Sequence, residues 1–474
     1  IFYSHLTILS ILITFHRAIH FIFFSFIFFS FILFHFYVKE AITQLIKIVC
    51  YYGSWAAYRN GRGQFESTDI DPNLCTHIIY TFVGISEDGN VRILDSWLDL
   101  PNGRDGYGKF TRLRQLNPKI KALIAIGGWN EGSTKYSNVV ANPNVRARFV
   151  QNVIKFLKTY DFDGFDFDWE YPNQRGGKLA DKENYIAMLK ELREEFDKHG
   201  YILSVAVAAA EVSASKSYII SQVSQYPHII NLMAYDLNGS WNNFAAINNS
   251  SVQYWLEQGA PADKLILGVP AYGRSFTLSN SAYNTIGSPT IGPGKAGPYT
   301  REGGMLGYNE ICEYIKQGWT VKREPEQRVP YIKNIEIRIS LEEKAKYVMS
   351  KGLGGIMMWS VETDDFHGIC GDKYPLLRSI NRVLKGYVPP PSPTSTPTKL
   401  PLPTSSTTAL PSSTPSDSVC TQEGFVRDPK DCSIFYYCQK AYNKYVISRF
   451  RCPTDLVFDT SFNGCNYRYN VPDC

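Results

Sequence analysis

The sequence has little excess charge of either sign. Its 49 basic residues face 44 acidic ones, which leaves a formal net charge of +5 over 474 residues. It also lacks a long run of Lys or Arg, the usual mark of a nucleic-acid-binding surface, so we expect no nucleic-acid partner. Aromatic residues are instead abundant, at 14%. A weakly charged, aromatic-rich protein suits a neutral, flat-faced ligand such as a sugar.

Several motifs that bind metals or cofactors are also missing. The chain contains no Cys-x-x-Cys pair and no glycine loop of the Walker or dinucleotide kind, so we expect neither a metal nor a cofactor. Six of the ten cysteines fall in the last 55 residues, a segment that has no His. An even number of cysteines in a small polar segment is typical of a disulfide framework, which implies an oxidising compartment and secretion. Spacing alone leaves the pairing open.

Residues 1–45 differ in character from the rest. Phe21 to Val38 is an apolar run of 18 residues interrupted by two serines and one histidine. Such a run is just long enough to span a bilayer, and it also fits the apolar core of a signal peptide. We interpret 1–45 as a signal or targeting segment, with a retained anchor or doubtful translated sequence as the alternatives. A membrane contact is expected only if this run is retained.

From residue 46 onward, short apolar runs alternate with amphipathic segments. Eight runs have this character, at residues 46–52, 76–85, 120–129, 164–170, 202–209, 229–236, 265–272 and 355–361. Continuous apolar strands are typical of strands buried on both faces. Eight alternations of strand and helix predict an α/β fold, a closed parallel (β/α)8 TIM barrel over 46–386. The long gap before the eighth run leaves room for a small α+β insertion at about 276–345.

The C-terminal part of the chain divides into a tether and a small module. Residues 387–418 consist almost entirely of Pro, Ser, Thr and Leu. Such a segment cannot bury a core, so we predict an extended, O-glycosylated linker. Residues 419–474 then form a compact, disulfide-rich β module.

The most informative segment is DGFDFDWEYP at residues 163–172. Alternate residues of a strand share a face, so Asp166, Asp168 and Glu170 point the same way. Three carboxylates on one face repel each other, and at least one should hold a proton at neutral pH. The C-terminal end of a barrel strand is where barrel enzymes keep their active sites. A strand of solvated acids and a metal site without His are the weaker alternatives.

This segment resembles the signature of the family 18 glycoside hydrolases, the chitinases and chitinase-like lectins. Similar segments follow in the order of the predicted strands. They are KIVCYYGSW at 47–55, AIGGWN at 125–130, NLMAYD at 231–236, GVPAYGRSF at 268–276 and GGIMMWS at 354–360. The resemblance covers about residues 46–386.

The resemblance implies an endochitinase with a retaining, substrate-assisted mechanism, in which the sugar's own acetamido oxygen attacks its anomeric carbon. It implies that Glu170 is the general acid and base, that Asp168 orients the acetamido group, that Asp166 shares a proton with Asp168, and that Tyr235 binds the acetamido oxygen. It further implies substrate contacts at Trp97, Gly128, Trp129, Asn130, Tyr171, Met233, Asp236, Tyr272, Arg274 and Trp359, with Tyr51 and Glu302 as weaker candidates. For each aromatic residue the alternative is core packing.

The last 55 residues resemble the peritrophin-type chitin-binding module of invertebrate proteins. The two resemblances together imply five disulfides, Cys50–Cys75, Cys312–Cys370, Cys420–Cys438, Cys432–Cys474 and Cys452–Cys465. Aromatic residues of the module, among them Tyr436, Tyr437 and Phe458, are candidates for stacking on sugar rings, although some must form its small core. Chitin and chitooligosaccharides are therefore the expected partners of a secreted, extracellular and monomeric protein.

One stretch departs from the family pattern. Family 18 chitinases usually carry a Trp-x-Gly-Tyr/Phe-Asp-Asp sequence before the last barrel helix, whereas residues 331–340 are shorter and different. The resemblance therefore does not extend to the last strand of the insertion. Alternative functions are a chitin-binding lectin, or a matrix protein with an inert barrel. Lectins of the family typically lose the acid, whereas Glu170, Asp168 and Asp166 are all present.

Overall fold

A computed structural model describes most of the predicted barrel and much of the C-terminal module. The described residues are 46–237, 251–280, 288–319, 322–324, 329–331, 337–386, 420, 424–441, 444–452, 456–460, 464–468, 471 and 474. The predicted signal-like segment 1–45 and the predicted linker 387–418 lie outside them. Within the described ranges, no helix combines the length and the apolar character needed to cross a membrane.

The first strands of the chain follow the predicted apolar runs. They are β1 (Lys47–Gly53), β2 (His77–Ile85), β3 (Val91–Ile93), β4 (Lys121–Gly127), β5 (Gly164–Asp168), β6 (Ile202–Ala208), β7 (Ile229–Met233) and β8 (Leu265–Pro270). Six further short strands follow, β9 (Tyr272–Arg274), β10 (Phe276–Leu278), β11 (Thr290–Pro293), β12 (Met305–Gly307), β13 (Lys322–Glu324) and β14 (Val329–Tyr331), and then β15 (Gly355–Trp359).

Eight of these strands close into a parallel barrel. The sheet order is β1-β15-β8-β7-β6-β5-β4-β2, and β1 also pairs with β2, so the sheet has no free edge on this ring. β3 is an antiparallel addition to β2. The predicted eight-stranded barrel is confirmed, and each predicted run overlaps one barrel strand.

Helices pack around the barrel, except for the ninth, which lies within the insertion between β8 and β15. They are α1 (Ser96–Asp99), α2 (Gly106–Thr111), α3 (Thr134–Ala141), α4 (Pro143–Tyr160), α5 (Asp181–Asp197), α6 (Glu211–Ser217), α7 (Ile220–Val223), α8 (Ser251–Glu257), α9 (Tyr308–Lys316), α10 (Ile337–Lys351) and α11 (Pro375–Leu384). The start of α4 is encoded locally. The Asn142 side chain accepts hydrogen bonds from the backbone N–H groups of Asn144 and Val145, which caps the helix. Pro143 lies in the first turn, where a backbone N–H would have no partner within the helix, so its absence is not destabilising.

Six small strands lie between β8 and β15, in the region of the predicted insertion, and the first of them, β9, precedes the expected start at about residue 276. β9 pairs with β12, β10 with β11 and β13 with β14, all antiparallel. The buried carboxylate of Glu310 accepts hydrogen bonds from the backbone N–H groups of Tyr299, Thr300 and Gly307. In the described part, the last strand is β14. Residues 332–336 of the altered stretch lie outside the described residues.

Apolar side chains fill the barrel interior. Val49, Ile79, Leu123, Ile266 and Met357 are among the fully buried members of one cluster, and they come from five different strands. Because the barrel is a packed core rather than a pore, polar side chains at the strand ends lie on a solid apolar base.

The outward face of β5 packs against the helices, as its alternation predicts. Phe167 lies 6.0 Å from Phe149 of α4 and 5.5 Å from Tyr185 of α5, between ring centroids. Phe165 lies 6.5 Å from Phe196 of α5. These contacts fix the register of β5, so its alternate residues must face the barrel interior.

The C-terminal module is built from two small sheets. Strands β16 (Gly424–Arg427), β17 (Ile434–Ala441) and β18 (Lys444–Arg451) form one, and β19 (Leu456–Asp459) and β20 (Gly464–Tyr467) form the other.

Four disulfides agree with the implied pairing, Cys50–Cys75, Cys312–Cys370, Cys420–Cys438 and Cys432–Cys474. Cys452 is also disulfide-bonded. The Cys465 side chain lies outside the described part, so the Cys452–Cys465 pair stays a prediction.

The module's core corrects one expectation. Phe458 is fully buried and stacks on Phe435 at 4.3 Å between ring centroids, while Tyr436 is buried and donates a hydrogen bond to Asp428. A ring with no open face cannot stack on a sugar, so the assignment of Phe458 and Tyr436 as sugar-binding residues is wrong. Tyr437 is half-buried and stays a candidate for stacking on a sugar ring.

Candidate active site

The acidic row lies at the C-terminal end of β5. Asp166 and Asp168 are buried members of the strand, and Glu170 follows two residues beyond its end and is half-buried. The strand is shorter than the predicted 164–170 run, so Glu170 belongs to the following loop. The row therefore runs from the barrel interior to the barrel mouth.

Asp166 is held by three neutral polar side chains from other strands. Tyr51 donates a hydrogen bond to its Oδ2 at 2.7 Å, and Ser204 donates to its Oδ1 at 2.5 Å. Asn231 in turn donates to both Tyr51 Oη and Ser204 Oγ at 3.0 Å. Burial raises the pKa of Asp166 to about 6, and these hydrogen bonds oppose the rise. Asp166 is thus the member of the row best supported as an anion.

Asp168 is the member least supported as an anion. Burial raises the pKa of its carboxyl well above the ordinary value, and the charges of Glu170 and Asp166 raise it further. Its buried Oδ1 has no hydrogen-bond partner within the described protein. A buried polar atom without a partner is unfavourable and marks a place where a ligand can supply the missing bond.

Glu170 holds its proton near neutral pH. Burial is the main cause that raises the pKa of its carboxyl to about 7, with a contribution from the Asp236 charge. A hydrogen bond with Tyr171 and the nearby Arg175 cation oppose the rise. A carboxyl at the barrel mouth with this pKa is suited to donate a proton and take it back.

Aromatic rings extend from the barrel interior toward solvent. Trp359, at the end of β15, lies 5.5 Å from Tyr51 and 6.0 Å from Phe82 between ring centroids. Phe82 in turn stacks on Trp55 at 6.2 Å, and Trp55 is 44% exposed. Together they form a continuous apolar band beside the acids, a surface suited to the apolar faces of sugar rings.

The ends of β7 and β9 supply a second group of polar side chains. Tyr235 lies 6.3 Å from Tyr272 between ring centroids, and its hydroxyl lies 3.7 Å from Met357 Sδ. Both carboxylate oxygens of Asp236 accept hydrogen bonds from Arg274, with 2.7 Å between Nε and Oδ1. This two-point pair holds Asp236 at the rim.

A profile described as "Glycosyl hydrolases family 18" matches residues 47–364, which contain every residue of this site. The chain belongs to family 18 of the glycosyl hydrolases. A second profile, "Chitin binding Peritrophin-A domain", matches residues 420–474. The family resemblance seen in the sequence is confirmed for both parts.

Insect chitinases are similar over most of the chain. "Probable chitinase 2" of Drosophila melanogaster is 39% identical over 75% of this chain and 84% of its own length. "Endochitinase" of Manduca sexta is 38% identical over 78% of this chain and 72% of its own length. The crystal structure of the Ostrinia furnacalis group IV chitinase is 43% identical, with a TM-score of 0.69 over 72% of this chain and all of that one.

The family 18 barrel brings most of the predicted site residues to one end. Met233, Arg274 and Trp359 close their strands, and Tyr171 and Asp236 come shortly after strand ends. Gly128 and Asn130 follow β4. A Cβ at Gly128 would lie 2.7 Å from the Phe82 ring, and the Gly128 φ of 83° favours glycine. Trp97 is 62% exposed on α1, and no described contact joins it to the acids.

Sequence reasoning missed Ser204 and Asn231 as site residues. Both lie on otherwise apolar strands, in ILSVAVA and IINLM. A single polar residue within a buried strand was the available signal, because it must find a partner inside. Which partner it finds depends on the barrel register, since Ser204 pairs with Asp166 across β5 and β6.

One group of possible metal ligands occurs among the described residues, Cys312, Asp365 and Cys370. The two sulfur atoms are bonded to each other in a disulfide. Asp365 accepts hydrogen bonds from the backbone N–H groups of Ile369 and Cys370. These groups are already satisfied, so the cluster stabilises the loop after β15 rather than offering a metal site.

Proposed function

We propose that this family 18 glycosyl hydrolase is an endochitinase that cleaves β-1,4-linked N-acetylglucosamine polymers with retention of configuration. The observation that carries the proposal is the graded row of acids. Asp166 is held as an acceptor, Asp168 has an unpartnered buried oxygen, and Glu170 keeps a proton near neutral pH at the barrel mouth. The similarity to insect chitinases supports the same substrate class.

In the first step, Glu170 donates its proton to the glycosidic oxygen as the bond from that oxygen to the anomeric carbon breaks. The carbonyl oxygen of the sugar's own acetamido group bonds to the anomeric carbon and forms an oxazolinium ion. Asp168 binds the acetamido N–H through its unpartnered oxygen and offsets the positive charge. Asp166 shares the proton of Asp168, which lets the charge of the pair respond as the ion forms.

In the second step, the Glu170 carboxylate takes a proton from water as the water oxygen bonds to the anomeric carbon. The acetamido oxygen leaves from the opposite face. Two inversions restore the starting configuration. Tyr235 binds the acetamido oxygen, and Trp359 lies under the ring of the same sugar. Cleavage therefore requires the 2-acetamido group.

The C-terminal 419–474 segment serves as a chitin-binding module joined to the catalytic barrel, 46–386, by the 387–418 linker. A tethered module raises the local concentration of substrate at the barrel without any new contact. The disulfides Cys420–Cys438 and Cys432–Cys474 support a site of action outside the cell, because such bonds persist in oxidising compartments. We propose that the protein acts there as a monomer.

The substrate test compares two tetrasaccharides that differ only in the acetamido group. We expect the full chain to cleave N-acetylchitotetraose and leave cellotetraose intact, with β-anomeric products in proton NMR spectra taken within the first minutes. Cleavage of cellotetraose, or initial α-anomeric products, would contradict substrate assistance. Binding of the chitin oligosaccharide without cleavage would favour the lectin alternative.

The pKa of Glu170 predicts the basic limb of the pH profile. Glu170 acts as an acid only while protonated, and its pKa is raised to about 7. We therefore expect kcat/KM for N-acetylchitotetraose to fall about tenfold per pH unit as the pH rises above this value. Thermal unfolding over the same pH range is the control for loss of folded protein. A decline that already begins near pH 4–5, about the ordinary pKa of glutamate, would contradict the assignment.

A further inference from the structure

Arg175 lies in a tightly held loop that follows the acidic strand. Gln174 donates a hydrogen bond from Nε2 to Ser217 Oγ at 2.7 Å, and the Asn173 backbone N–H donates to Asp181 Oδ2 at 3.2 Å. Arg175 itself has a φ of 52°, in the left-handed region. Because its neighbours are fixed to α5 and α6, the position from which its side chain extends is well defined.

The guanidinium of Arg175 joins two loops at the mouth of the barrel. Its Nη1 donates a hydrogen bond to the carbonyl oxygen of Trp129 at 2.7 Å and to that of Glu170 at 3.0 Å. Its Cζ lies 3.5 Å from the centroid of the Trp129 ring. One group therefore links the loop after β4 to the loop after β5, and also covers one face of the indole.

The Trp129 indole still has a large open surface. It is 58% exposed although Arg175 covers one face, so its opposite face is available to a ligand. Trp129 lies in a short turn flanked by Gly128 and Gly132, with φ values of 83° and 66°. A turn between two glycines restrains a side chain weakly, so the orientation of this ring depends on the cation stacked on it.

We infer that Arg175 is a positioning residue, which clamps the Trp129 indole as a stacking platform for the sugar next to the bond that Glu170 cleaves. This inference rests on the proposed chitinase function. The planar guanidinium stacks on the indole and donates to both carbonyl oxygens from one group, whereas a lysine ammonium keeps the charge and can donate hydrogen bonds but has no planar face to stack on the ring.

The same cation acts on Glu170 through space. The charged and titratable groups that face the Glu170 carboxyl are Asp168, Tyr171, Tyr218, Tyr235, Asp236 and Arg175. Arg175 lowers the pKa of Glu170 against the effect of burial. Removing the cation should raise that pKa, so the basic limb of the pH profile should move to higher pH.

Two substitutions separate the stacking and hydrogen bonding of Arg175 from its charge. Arg175→Met removes both. In a Glu170→Gln background, which leaves N-acetylchitotetraose uncleaved, we expect it to weaken calorimetric binding of that ligand by about tenfold, from the lost stacking and hydrogen bonds. In the active enzyme it should move the basic limb upward. Arg175→Lys should weaken binding similarly but leave the limb at its wild-type position. Arg112→Met is the matched control, because Arg112 is an exposed arginine paired with Asp105 at the start of α2.

A double substitution tests whether Arg175 acts through the indole. In a Trp129→Ala background, Arg175→Met should weaken binding by less than about twofold, because the platform is already gone. Equal losses of binding in both backgrounds would overturn the inference. So would an Arg175→Met variant whose binding and pH profile match those of the parent protein. If the wild type binds the tetrasaccharide without cleaving it, the proposed function falls, while the binding comparison still decides the role of Arg175.

Discussion

The Glu170→Gln substitution should lower kcat for N-acetylchitotetraose by about 10²–10⁴-fold, the usual effect of removing a general acid. Glutamine keeps the shape of the side chain but has no proton to donate at neutral pH. Glu170 is half-buried and lies beside Tyr171, so the neutral amide should fit without rearrangement. The KM for the tetrasaccharide should stay within about threefold of the wild type, since transition-state rather than ground-state contacts are lost.

Glu194→Gln is the control for this experiment. Glu194 lies on α5, and its side chain is 63% exposed in an ion pair with Lys190. The control should keep full activity, because exposed pairs of this kind contribute little. More than about a tenth of wild-type activity in Glu170→Gln would show that another group supplies the proton.

The Asp168→Asn substitution should lower kcat by about 10²–10³-fold without lowering Tm, the scale found when one preorganised electrostatic partner is removed. The asparagine has no charge to offset the oxazolinium ion. Stability should not suffer, because Asp168 is buried with an unpartnered oxygen and a raised pKa. A neutral side chain of the same shape removes the cost of burying a charge next to Asp166 and Glu170.

Asp163→Asn, just before the same strand, should behave in the opposite way. Asp163 accepts a hydrogen bond from the backbone N–H of Ala122 and pairs with Arg114 at 3.0 Å. Its substitution should lower Tm and leave kcat within about twofold, as expected for a structural contact away from the reaction. If Asp168→Asn instead lowered Tm and kept its activity, Asp168 would be structural.

The barrel and its acids were predictable because both depend on local patterns. Apolar runs of strand length recur eight times, and the composition of each run by itself favours a buried strand. Alternation along β5 places Asp166 and Asp168 on one face and packs Phe165 and Phe167 against helices. A one-residue slip would turn Phe165 and Phe167 toward the barrel interior and the two carboxylates toward the helices, so the register is strongly specified.

The partners of those acids could not be read from local patterns. Tyr51, Ser204 and Asn231 lie on three other strands and meet at Asp166 through the closure and register of the barrel. Arg175 was overlooked for the same reason, since its stacking on Trp129 depends on how two loops approach each other. Contacts between distant segments depend on the relative positions of whole elements.

Fold class, domain order and the acidic row thus follow from the amino-acid order, because hydrophobic period and strand alternation act over a few residues. Tertiary packing decided which polar groups hold Asp166, which ring Arg175 covers, and that Tyr436 and Phe458 belong to a core. The physical reason is the same in each case. An aromatic or polar residue suits a core and a binding surface equally well, and only the neighbours that the fold brings to it determine which of its faces remain open.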